Sequence, residues 1–542
     1  MSPRHHLLSL SALLSLGASA QVPTALLRSG EPIPGIATHD FSGVAWLGTN
    51  HDGGLVANIS GNDSGQFTDF LWGSVGGGAL GELRRAGLQG PHLLTNIRRE
   101  CAGAGASQTY MGNLSGAGET LMVDETVIAT VGDATAPGGG SWIRFSEPFL
   151  DTAGDVWFRG RYTTTGNSRI GLFRGAFLTP VLLAGDVVMG LPTTVNTGGA
   201  PNTEHDVAHD GSQWIGTVTD ANSREAVVRS GEVLQAGGVP LITGNLLPPG
   251  ISMGPNERYN NFDQVQTAPG DQWAVIAGTP VGMILRDEGL FVRNTNVVDG
   301  FVFTGELRAI AMNRFGGLAW IGRVEAAGGV RKYAVFRERT LMYMEGDDVD
   351  IDFDGVVDPG YTITDIIGSA GRLAYTEDGR IWATVRITTP SGGSPFAVIG
   401  VGQAFGQPYC TSVANSSGRA AEIQAVGTPL LVENELYLRC VDMPTGTFGY
   451  FLTSRTQGLV MNPGGSQGNL CLAGGIGRYI ADVKNSGSSG SIEVRVDVQA
   501  IPQPTGAVAA MAGEAWNFQC WFRDANPTVT SNLSNGIEVT FL

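Results

Sequence analysis

The stretch Asp151-Thr152-Ala153-Gly154-Asp155-Val156-Trp157-Phe158 combines a glycine-containing turn with a strand that starts in large aromatic residues. Gly, Asp and Asn favour tight turns, whereas Val, Ile and Trp favour strands, so this stretch predicts a turn leading into a strand. The pattern returns five more times within the first four hundred residues, which makes it a repeat. The other copies are residues 40–46, 209–215, 269–275, 315–321 and 377–383.

A second pattern alternates with the first and consists of an apolar strand that runs into Gly-Asp or a similar turn. Two interlocked strand patterns at a spacing of roughly 56 residues are typical of a repeat unit of about four strands. Such a unit is the blade of a β-propeller, and we expect about seven blades. Copies of this second pattern are residues 25–31, 127–133, 181–186 and 341–347.

The phase of the two patterns indicates a closed ring. The last unit, residues 364–401, lacks a Gly-Asp strand of its own, whereas residues 25–31 form an isolated one near the N-terminus. We therefore expect the N-terminal strand to complete the last blade, which removes an exposed sheet edge. The alternative is an open array of repeats or two stacked sandwiches.

The composition supports an all-β fold throughout. Eighty of the 542 residues are glycine, which weakens helices, and short alternating apolar runs recur from end to end. More than 500 residues exceed what one hydrophobic core usually holds. The predicted organisation is a signal peptide (1–20), a propeller-like repeat domain (21–402), a linker (403–408) and a C-terminal β-sandwich (409–542).

The N-terminus predicts secretion. Arg4, His5 and His6 precede an apolar run over residues 7–16, and Ala18-Ser19-Ala20 offers a cleavage site before Gln21. The apolar run is about half the length of a membrane-spanning helix, and no later segment is long enough, so we expect no transmembrane segment. A net charge of −17 with only two lysines argues against a nucleic-acid partner.

Four of the five cysteines lie in the C-terminal domain, and in an exported protein they predict two disulfides. We favour Cys410 with Cys471 and Cys440 with Cys520, because the last two each lie in mid-strand and could face each other between sheets. The other two connectivities stay open. Cys101 is expected to be a buried free thiol, or else an intermolecular link.

The most specific chemical signal is the acidic stretch Asp347-Asp348-Val349-Asp350-Ile351-Asp352-Phe353-Asp354-Gly355-Val356-Val357-Asp358. Alternating carboxylates with a glycine at the sharp turn resemble the first nine positions of a calcium-binding EF-hand-type loop. Tyr361 replaces the glutamate at the twelfth position, and no helices flank the stretch. We expect a structural calcium ion, against the alternative of a solvated acidic hairpin. The expected ligands are Asp350, Asp352, Asp354, the carbonyl of Val356, and Asp358.

Other candidate chemistry is sparse. His205 and His209 would share one face of an extended strand, where they could bind a transition metal with Glu204 or Asp206, or else be two turn histidines. No convincing serine-hydrolase elbow occurs. The repeated tryptophans are expected to pack between blades rather than bind a ligand. They are Trp46, Trp157, Trp214, Trp273, Trp320 and Trp382.

The repeat units over residues 22–401 resemble a family of secreted bacterial repeat proteins found in planctomycetes, which carries no known function. Residues 409–410, 449–452, 462–472, 476–478 and 522–527 resemble a C-terminal module attached to many otherwise unrelated secreted planctomycete proteins. That resemblance implies a role in export, surface retention or folding rather than in chemistry.

Together these features predict a secreted or cell-surface, noncatalytic binding or scaffold protein with a structural calcium loop, whose ligand is an unidentified extracellular protein or glycan. The alternative is a calcium-dependent propeller hydrolase or lyase that acts on glycans or phosphoesters. A cluster of buried carboxylates or histidines at the channel would favour the enzyme. A third reading is a structural envelope protein.

Overall fold

The computed structural model describes residues 23–541, with short gaps inside that range. The gaps are residues 51–53, 74–80, 90–91, 105–106, 165–166, 197–204, 253, 255, 279–281, 288, 314–315, 352–356, 370, 377–378, 402–405, 428, 430, 432–433, 435, 488–489 and 526–527. The predicted signal peptide lies outside the described residues.

Residues 24–401 form seven antiparallel units of four main strands each, arranged as the blades of a propeller. Blades 1 and 2 are joined into one sheet by a parallel pairing of their innermost strands at Asn50 and Gly103. Within each blade, tight turns join consecutive strands and make them neighbours in the sheet. The chain therefore passes from the innermost strand of a blade to its outermost strand. Blade 1 contains Ile36–Asn50, Gly54–Asp63, Gln66–Gly73 and Gly81–Arg85; blade 2 His92–Ala104, Ser107–Leu114, Gly118–Val123 and Thr126–Thr130; blade 3 Trp142–Leu150, Val156–Thr164, Asn167–Arg174 and Thr179–Leu183; blade 4 His205–Val207, Trp214–Thr219, Glu225–Arg229 and Glu232–Val233.

The remaining blades follow the same order. Blade 5 contains Asn261–Ala268, Gln272–Gly278, Gly282–Arg286 and Gly289–Arg293; blade 6 Phe301–Met312, Leu318–Glu325, Arg331–Arg337 and Thr340–Met344; blade 7 Asp358–Ile367 with Leu373–Tyr375, then Ile381–Ile387, Phe396–Val401 and Thr24–Arg28. Short additional strands are Pro32–Ile33, Gly87–Gln89, Gln235–Ala236, Val239–Pro240, Val297–Val298 and Asp348–Val349.

The N-terminal strand closes the ring, as the phase of the repeats predicts. Thr24–Arg28 pairs antiparallel with Phe396–Val401 and forms the outermost strand of blade 7. On the inner side, the Leu47 N–H of blade 1 donates to the Gly371 carbonyl of blade 7 at 2.7 Å. Both contacts join the first part of the chain to the last part of the propeller.

The two sequence patterns correspond to particular strands. The Gly-Asp pattern marks outermost strands, including Thr126–Thr130, Thr179–Leu183 and Thr340–Met344. The Gly-Trp pattern marks the turn between the first and second strands in residues 151–158, 209–215 and 269–275, whereas two other copies include residues outside the described part of the chain and residues 40–46 differ. Those residues belong to one long innermost strand of blade 1, so that copy of the pattern is not a turn.

Packing of the repeated tryptophans between blades is confirmed, and five of the six residues are at most 6 % exposed. Asp151 shows how the turn holds such a ring: its carboxylate accepts the Trp157 Nε1–H at 2.9 Å and the Asp155 N–H at 2.9 Å. Trp46 is less buried: it packs against the apolar core between blades 1 and 2 and also lines the central channel. The other five residues are Trp157, Trp214, Trp273, Trp320 and Trp382.

The C-terminal domain is a sandwich of two antiparallel sheets, and its first strand begins at Gln407, slightly before the expected boundary. One sheet contains Gln407–Tyr409, Val529–Thr540, Ala515–Ala525, Phe448–Ser454, Gly477–Arg478 and Lys484–Asn485; the other contains Glu422–Gly427, Leu436–Val441 and Ile492–Val496; a hairpin of Thr456–Met461 and Asn469–Ala473 lies beside them. Short 3₁₀ turns occur at Pro137–Gly139, Ala327–Gly329, Pro463–Gly465 and Ile480–Asp482.

One of the two expected disulfides is present. Cys410 and Cys471 are bonded, with their Cα atoms 6.2 Å apart. Cys440 and Cys520 lie on the two facing sheets within one apolar core, as expected, but they are free thiols in this structure. Facing positions alone therefore do not require a bond, because a buried thiol is also stable as a small apolar group. Cys101 is buried and is not part of a disulfide, and its Sγ–H donates to the Val56 carbonyl at 3.7 Å.

The sandwich packs against the propeller through the outer face of its smaller sheet. Val426 and Arg439 point away from the sandwich core, yet each is only 2 % exposed. Val426 contacts Gly379 of blade 7 so closely that a Cβ at that glycine would lie 2.1 Å from the valine Cγ1. The Arg337 guanidinium of blade 6 lies 5.9 Å from the centre of the Tyr437 ring.

Because the N-terminal strand closes the ring, we expect a substitution of its buried residues to lower the stability of the protein. Leu27 is 1 % exposed, pairs with Val398 and packs in the core between blades 7 and 1. We expect Leu27→Ala to lower the free energy of unfolding by about 2–5 kcal/mol, measured by urea denaturation. The matched control is Leu93→Ala, since Leu93 is 52 % exposed; equal losses at the two positions would contradict the closure.

Candidate functional site

The innermost strands of all seven blades surround a central channel, which contains a cavity of about 170 Å³. Each blade contributes residues from its innermost strand or from the segment beside it. The lining segments are residues 46–49, 101–102, 147–149, 205–207, 264–267, 310–312 and 371–375, together with His209.

The innermost strands of blades 3 to 6 are not paired in a regular ladder on the side that faces the preceding blade, so the N–H groups on that side need other acceptors. Side chains of the preceding blade provide them around much of the ring. The recorded bonds run from Phe145 N–H to Glu119 (3.1 Å), His205 N–H to Glu147 (3.2 Å), Thr267 N–H to Asp206 (2.7 Å), Ile310 N–H to Gln264 (2.9 Å) and Met312 N–H to Gln266 (3.0 Å). Most of these polar groups therefore hold the framework together.

Glu147 and His205 form a close carboxylate–imidazole contact in the wall of this channel, between blades 3 and 4. The Glu147 Oε2 atom lies 2.7 Å from His205 Nδ1, and the two side chains are 21 % and 6 % exposed. Arg159 supplies a second positive charge, with its Nη2 atom 3.6 Å from Glu147 Oε1. The pair is partly shielded from water, which strengthens its electrostatic interaction.

The backbone conformation of Glu147 is unusual for a residue with a side chain. Its φ is +52°, and the register of its strand shifts between Ser146 and Phe149, which is a β-bulge. A non-glycine residue in this region costs on the order of 1–3 kcal/mol. Bulges re-aim side chains, and here the bulge directs a carboxylate at the neighbouring blade.

The surroundings of Glu147 favour its charged form. Burial opposes ionisation, but the hydrogen bond from His205, the charge of Arg159 and the charge of His205 outweigh it and lower the pKa of Glu147 below its ordinary value of 4.5. Glu147 is therefore an anion at neutral pH and holds its imidazole partner in place.

The carboxylate fixes the orientation of the imidazole. Because Nδ1 faces Glu147, a neutral His205 carries its proton on Nδ1 and presents Nε2 as a hydrogen-bond acceptor. Both ring nitrogens are buried and make no hydrogen bond of regular geometry among the described residues, but only Nδ1 has a close polar neighbour, the Glu147 carboxylate. A buried polar atom without a partner is costly, so Nε2 is a candidate for contact with a ligand.

The predicted histidines, His205 and His209, both lie in the channel wall. Asp206 uses its carboxylate on the Thr267 N–H, and Glu204 lies outside the described residues. Within the described part of the chain, no group of three or more His, Cys, Asp or Glu side chains is placed to hold a metal ion. His209 lines the same cavity, and its carbonyl accepts the Thr152 N–H at 2.8 Å.

The acidic loop is described only at its two ends. Asp350 is 1 % exposed, and its backbone bonds to the Pro23 carbonyl (3.0 Å) and the Ala25 N–H (2.9 Å). Asp358 accepts the Ile351 N–H at 2.8 Å. Asp352, Asp354 and Val356 lie outside the described residues. The loop therefore begins beside the strand that closes the ring.

Sequence reasoning identified His205 but missed Glu147, which is 58 residues away. The available signal was a single acidic residue, in Ser146-Glu147-Pro148, inside a strand otherwise rich in Trp, Ile, Phe and Leu. That signal identifies no partner, because the contact between blades depends on how the ring is assembled.

The pKa of Glu147 gives a testable pH dependence. A pKa lowered by folding means that the contacts of the ionised Glu147 carboxylate with Arg159 and His205 stabilise the protein above pH 4.5, and that this contribution is lost as the pH falls through the lowered value. Compared with Glu147→Gln, we expect the wild type to be more stable by about 1.5–3 kcal/mol at neutral pH. The difference should shrink in acid. Urea denaturation from neutral pH to about pH 3 measures it, and a constant difference would contradict the assignment.

In the described part of the chain, no helix is long and apolar enough to cross a membrane. No family model matches the chain, and no curated protein sequence matches it. Among solved structures, puromycin hydrolase is similar at 14 % identity and a TM-score of 0.37, and the match covers 74 % of this chain and 59 % of that one. The Dos1 propeller is similar at 8 % identity and a TM-score of 0.24, covering 77 % of this chain and 83 % of that one. A GH43 β-1,3-galactosidase is similar at 10 % identity and a TM-score of 0.22, covering 70 % of this chain and 94 % of that one. The chain thus spans less than two thirds of puromycin hydrolase, and at these scores the matches identify neither an activity nor a ligand.

Proposed function

We propose that this protein is a secreted or cell-surface binding protein, and that its channel holds a small neutral ligand at His205. The observation that carries the proposal is the buried Nε2 atom of His205, which faces no protein partner while its ring is held by Glu147. Groups around it, such as Asp206 and Gln264, already bond to the framework. One fixed acceptor in a preformed cavity is typical of recognition.

The size and charge of the site favour a compact, uncharged ligand. A volume of about 170 Å³ is smaller than the 300–1,000 Å³ typical of pockets for drug-sized molecules. The net charge of −17 repels anions, and the charges of Glu147 and Arg159 largely cancel each other. A small hydroxylated molecule, or the terminal unit of a glycan, fits this description.

A role outside the cytoplasm is supported by the Cys410–Cys471 disulfide, since such bonds persist in oxidising compartments. The C-terminal sandwich would then serve in export or surface retention while fixed to blades 6 and 7 through Val426 and Tyr437.

A second candidate function is catalysis. A carboxylate that orients an imidazole, as Glu147 does with His205, is also the arrangement of a general base. By the criterion stated from the sequence, histidines and a carboxylate in the channel favour an enzyme. Hydrolysis would further need a nucleophile or a placed water beside Nε2, and Nε2 has no hydrogen-bond partner within the described residues. Binding therefore needs fewer assumptions.

One experiment tests binding and separates it from catalysis. We expect neutral polyols and monosaccharides, but not carboxylates or phosphoesters, to raise the melting temperature of the protein. A ligand at ten times its Kd adds about 1.4 kcal/mol to the free energy of unfolding. His205→Ala should abolish the shift, whereas His39→Ala should not, because His39 does not line the channel.

Each stabilising compound is then incubated with the protein and analysed by NMR. An unchanged compound supports binding, whereas conversion that is lost in His205→Ala supports the enzyme. No stabilisation by any neutral compound would contradict the proposed function.

We also propose that the acidic loop binds calcium and thereby stabilises ring closure. Two observations support the proposal: the alternating aspartates of residues 350–358, and the backbone bonds of Asp350 to Pro23 and Ala25. An ion bound in the loop would fix the segment against which the N-terminal strand is held.

We expect calcium to raise the melting temperature of the wild type relative to chelator. The double variant Asp352→Asn/Asp354→Asn should melt at one temperature in both conditions, because its loop has lost two carboxylates. A control double variant, Asp63→Asn/Asp133→Asn, changes two exposed aspartates elsewhere and should respond to calcium like the wild type. Equal melting of the wild type in calcium and in chelator would refute the site.

A further inference from the structure

A second, mostly apolar cavity lies between blades 3 and 4, where neighbouring blades would be expected to pack without a void. Its volume is about 60 Å³. Leu172 and Leu182 of blade 3 and Trp214 and Val218 of blade 4 form much of its wall. One water needs about 10–15 Å³, so the space is several times larger, yet apolar cavities tend to stay dry.

His205 connects this cavity to the channel. His205 lines both spaces, so this residue lies at the boundary between the channel and the apolar cavity. Arg159 is the other charged residue that lines the apolar cavity, and its guanidinium lies beside the Glu147 carboxylate. A molecule that contacts His205 can therefore place one end in the channel and the other between the blades.

The charges at this junction select the chemistry of the polar end. Glu147 and Arg159 already compensate each other, so an ionic group would introduce an unpaired charge in a shielded place. A neutral hydroxyl group has no such cost, and it can donate a hydrogen bond to Nε2 of His205. The apolar wall in turn favours a short hydrocarbon group on the same molecule.

We propose that the ligand is a neutral alcohol-type molecule whose short apolar group enters the cavity between blades 3 and 4 while its hydroxyl group meets His205. This inference rests on the proposed binding function and specifies its ligand class. The apolar cavity acts as a second subsite that selects for chain length.

The test is an NMR titration of methyl-labelled protein with straight-chain primary alcohols from methanol to hexanol, following the methyl signals of Leu172 and Leu182. Each buried methylene should tighten binding about fourfold until the cavity is full, after which affinity should stop rising. Carboxylates of the same chain lengths should bind more weakly. Nuclear Overhauser contacts between the alcohol and these leucine methyls give an independent readout in the wild type.

Variants separate the two subsites. Val218→Leu should remove most of the gain with chain length by filling the cavity, whereas Val228→Leu, in the same core but not in the cavity wall, should leave it unchanged. His205→Ala should weaken all alcohols alike and preserve the dependence on chain length.

Three outcomes overturn the inference. Binding that needs His205 but shows no dependence on chain length would remove the apolar subsite and leave the proposed channel function standing. If affinity rises with chain length but His205→Ala does not weaken binding, the apolar cavity binds alcohols without any connection to the channel site. Absence of alcohol binding, together with binding of other neutral compounds in the channel, would overturn the ligand class alone.

Discussion

The pairing of Thr24–Arg28 with Phe396–Val401 is the interaction on which the rest of the propeller depends. Seven twisted sheets around an axis leave two free edges unless the first and last blades are joined, and free edges are sites of aggregation. The chain solves this by using its first strand as the outermost strand of its last blade. Only a closed ring brings the innermost strands of blades 7 and 1 together, and it gives the channel its lining from all seven blades. The backbone of Asp350 holds the same strand, so the acidic loop and the closure share one segment.

Around the channel, the polar side chains have mainly a structural task. Asp206, Gln264 and Gln266 each accept a backbone N–H from the next blade, which compensates for the missing ladder on that side. Glu147 does the same for His205 and in addition binds its ring. Glu147 makes both contacts from a bulge in which its φ is positive. The strained backbone is therefore what allows its carboxylate to reach His205. The result is an imidazole with one nitrogen fixed and the other without a partner.

Much of the architecture followed from local patterns. The Gly-Asp strands and Gly-Trp turns predicted the blades and their phase, because turn residues and strand alternation act over a few residues. The expected Cys410–Cys471 bond and the expected packing of the repeated tryptophans also agree with the structure.

The expectations that differ from the structure do so for physical reasons. Residues 40–46 match the turn pattern but lie in a continuous strand of 15 residues, since pairing with Gly54–Asp63 outweighs the local turn preference. Cys440 and Cys520 face each other without a bond, because the core accommodates two thiols.

The sequence by itself determined an all-β chain of repeats with an N-terminal strand free to complete the last blade, and it identified His205 as a residue of interest. Local propensity and spacing suffice for those conclusions, because they concern neighbours along the chain. Only the tertiary structure decided that Glu147 meets His205, that Trp46 lines the channel and that an apolar cavity separates blades 3 and 4. These features arise where different blades meet, and their geometry is set by the closure of the ring and by a bulge in one strand, neither of which is encoded in the spacing of the residues concerned.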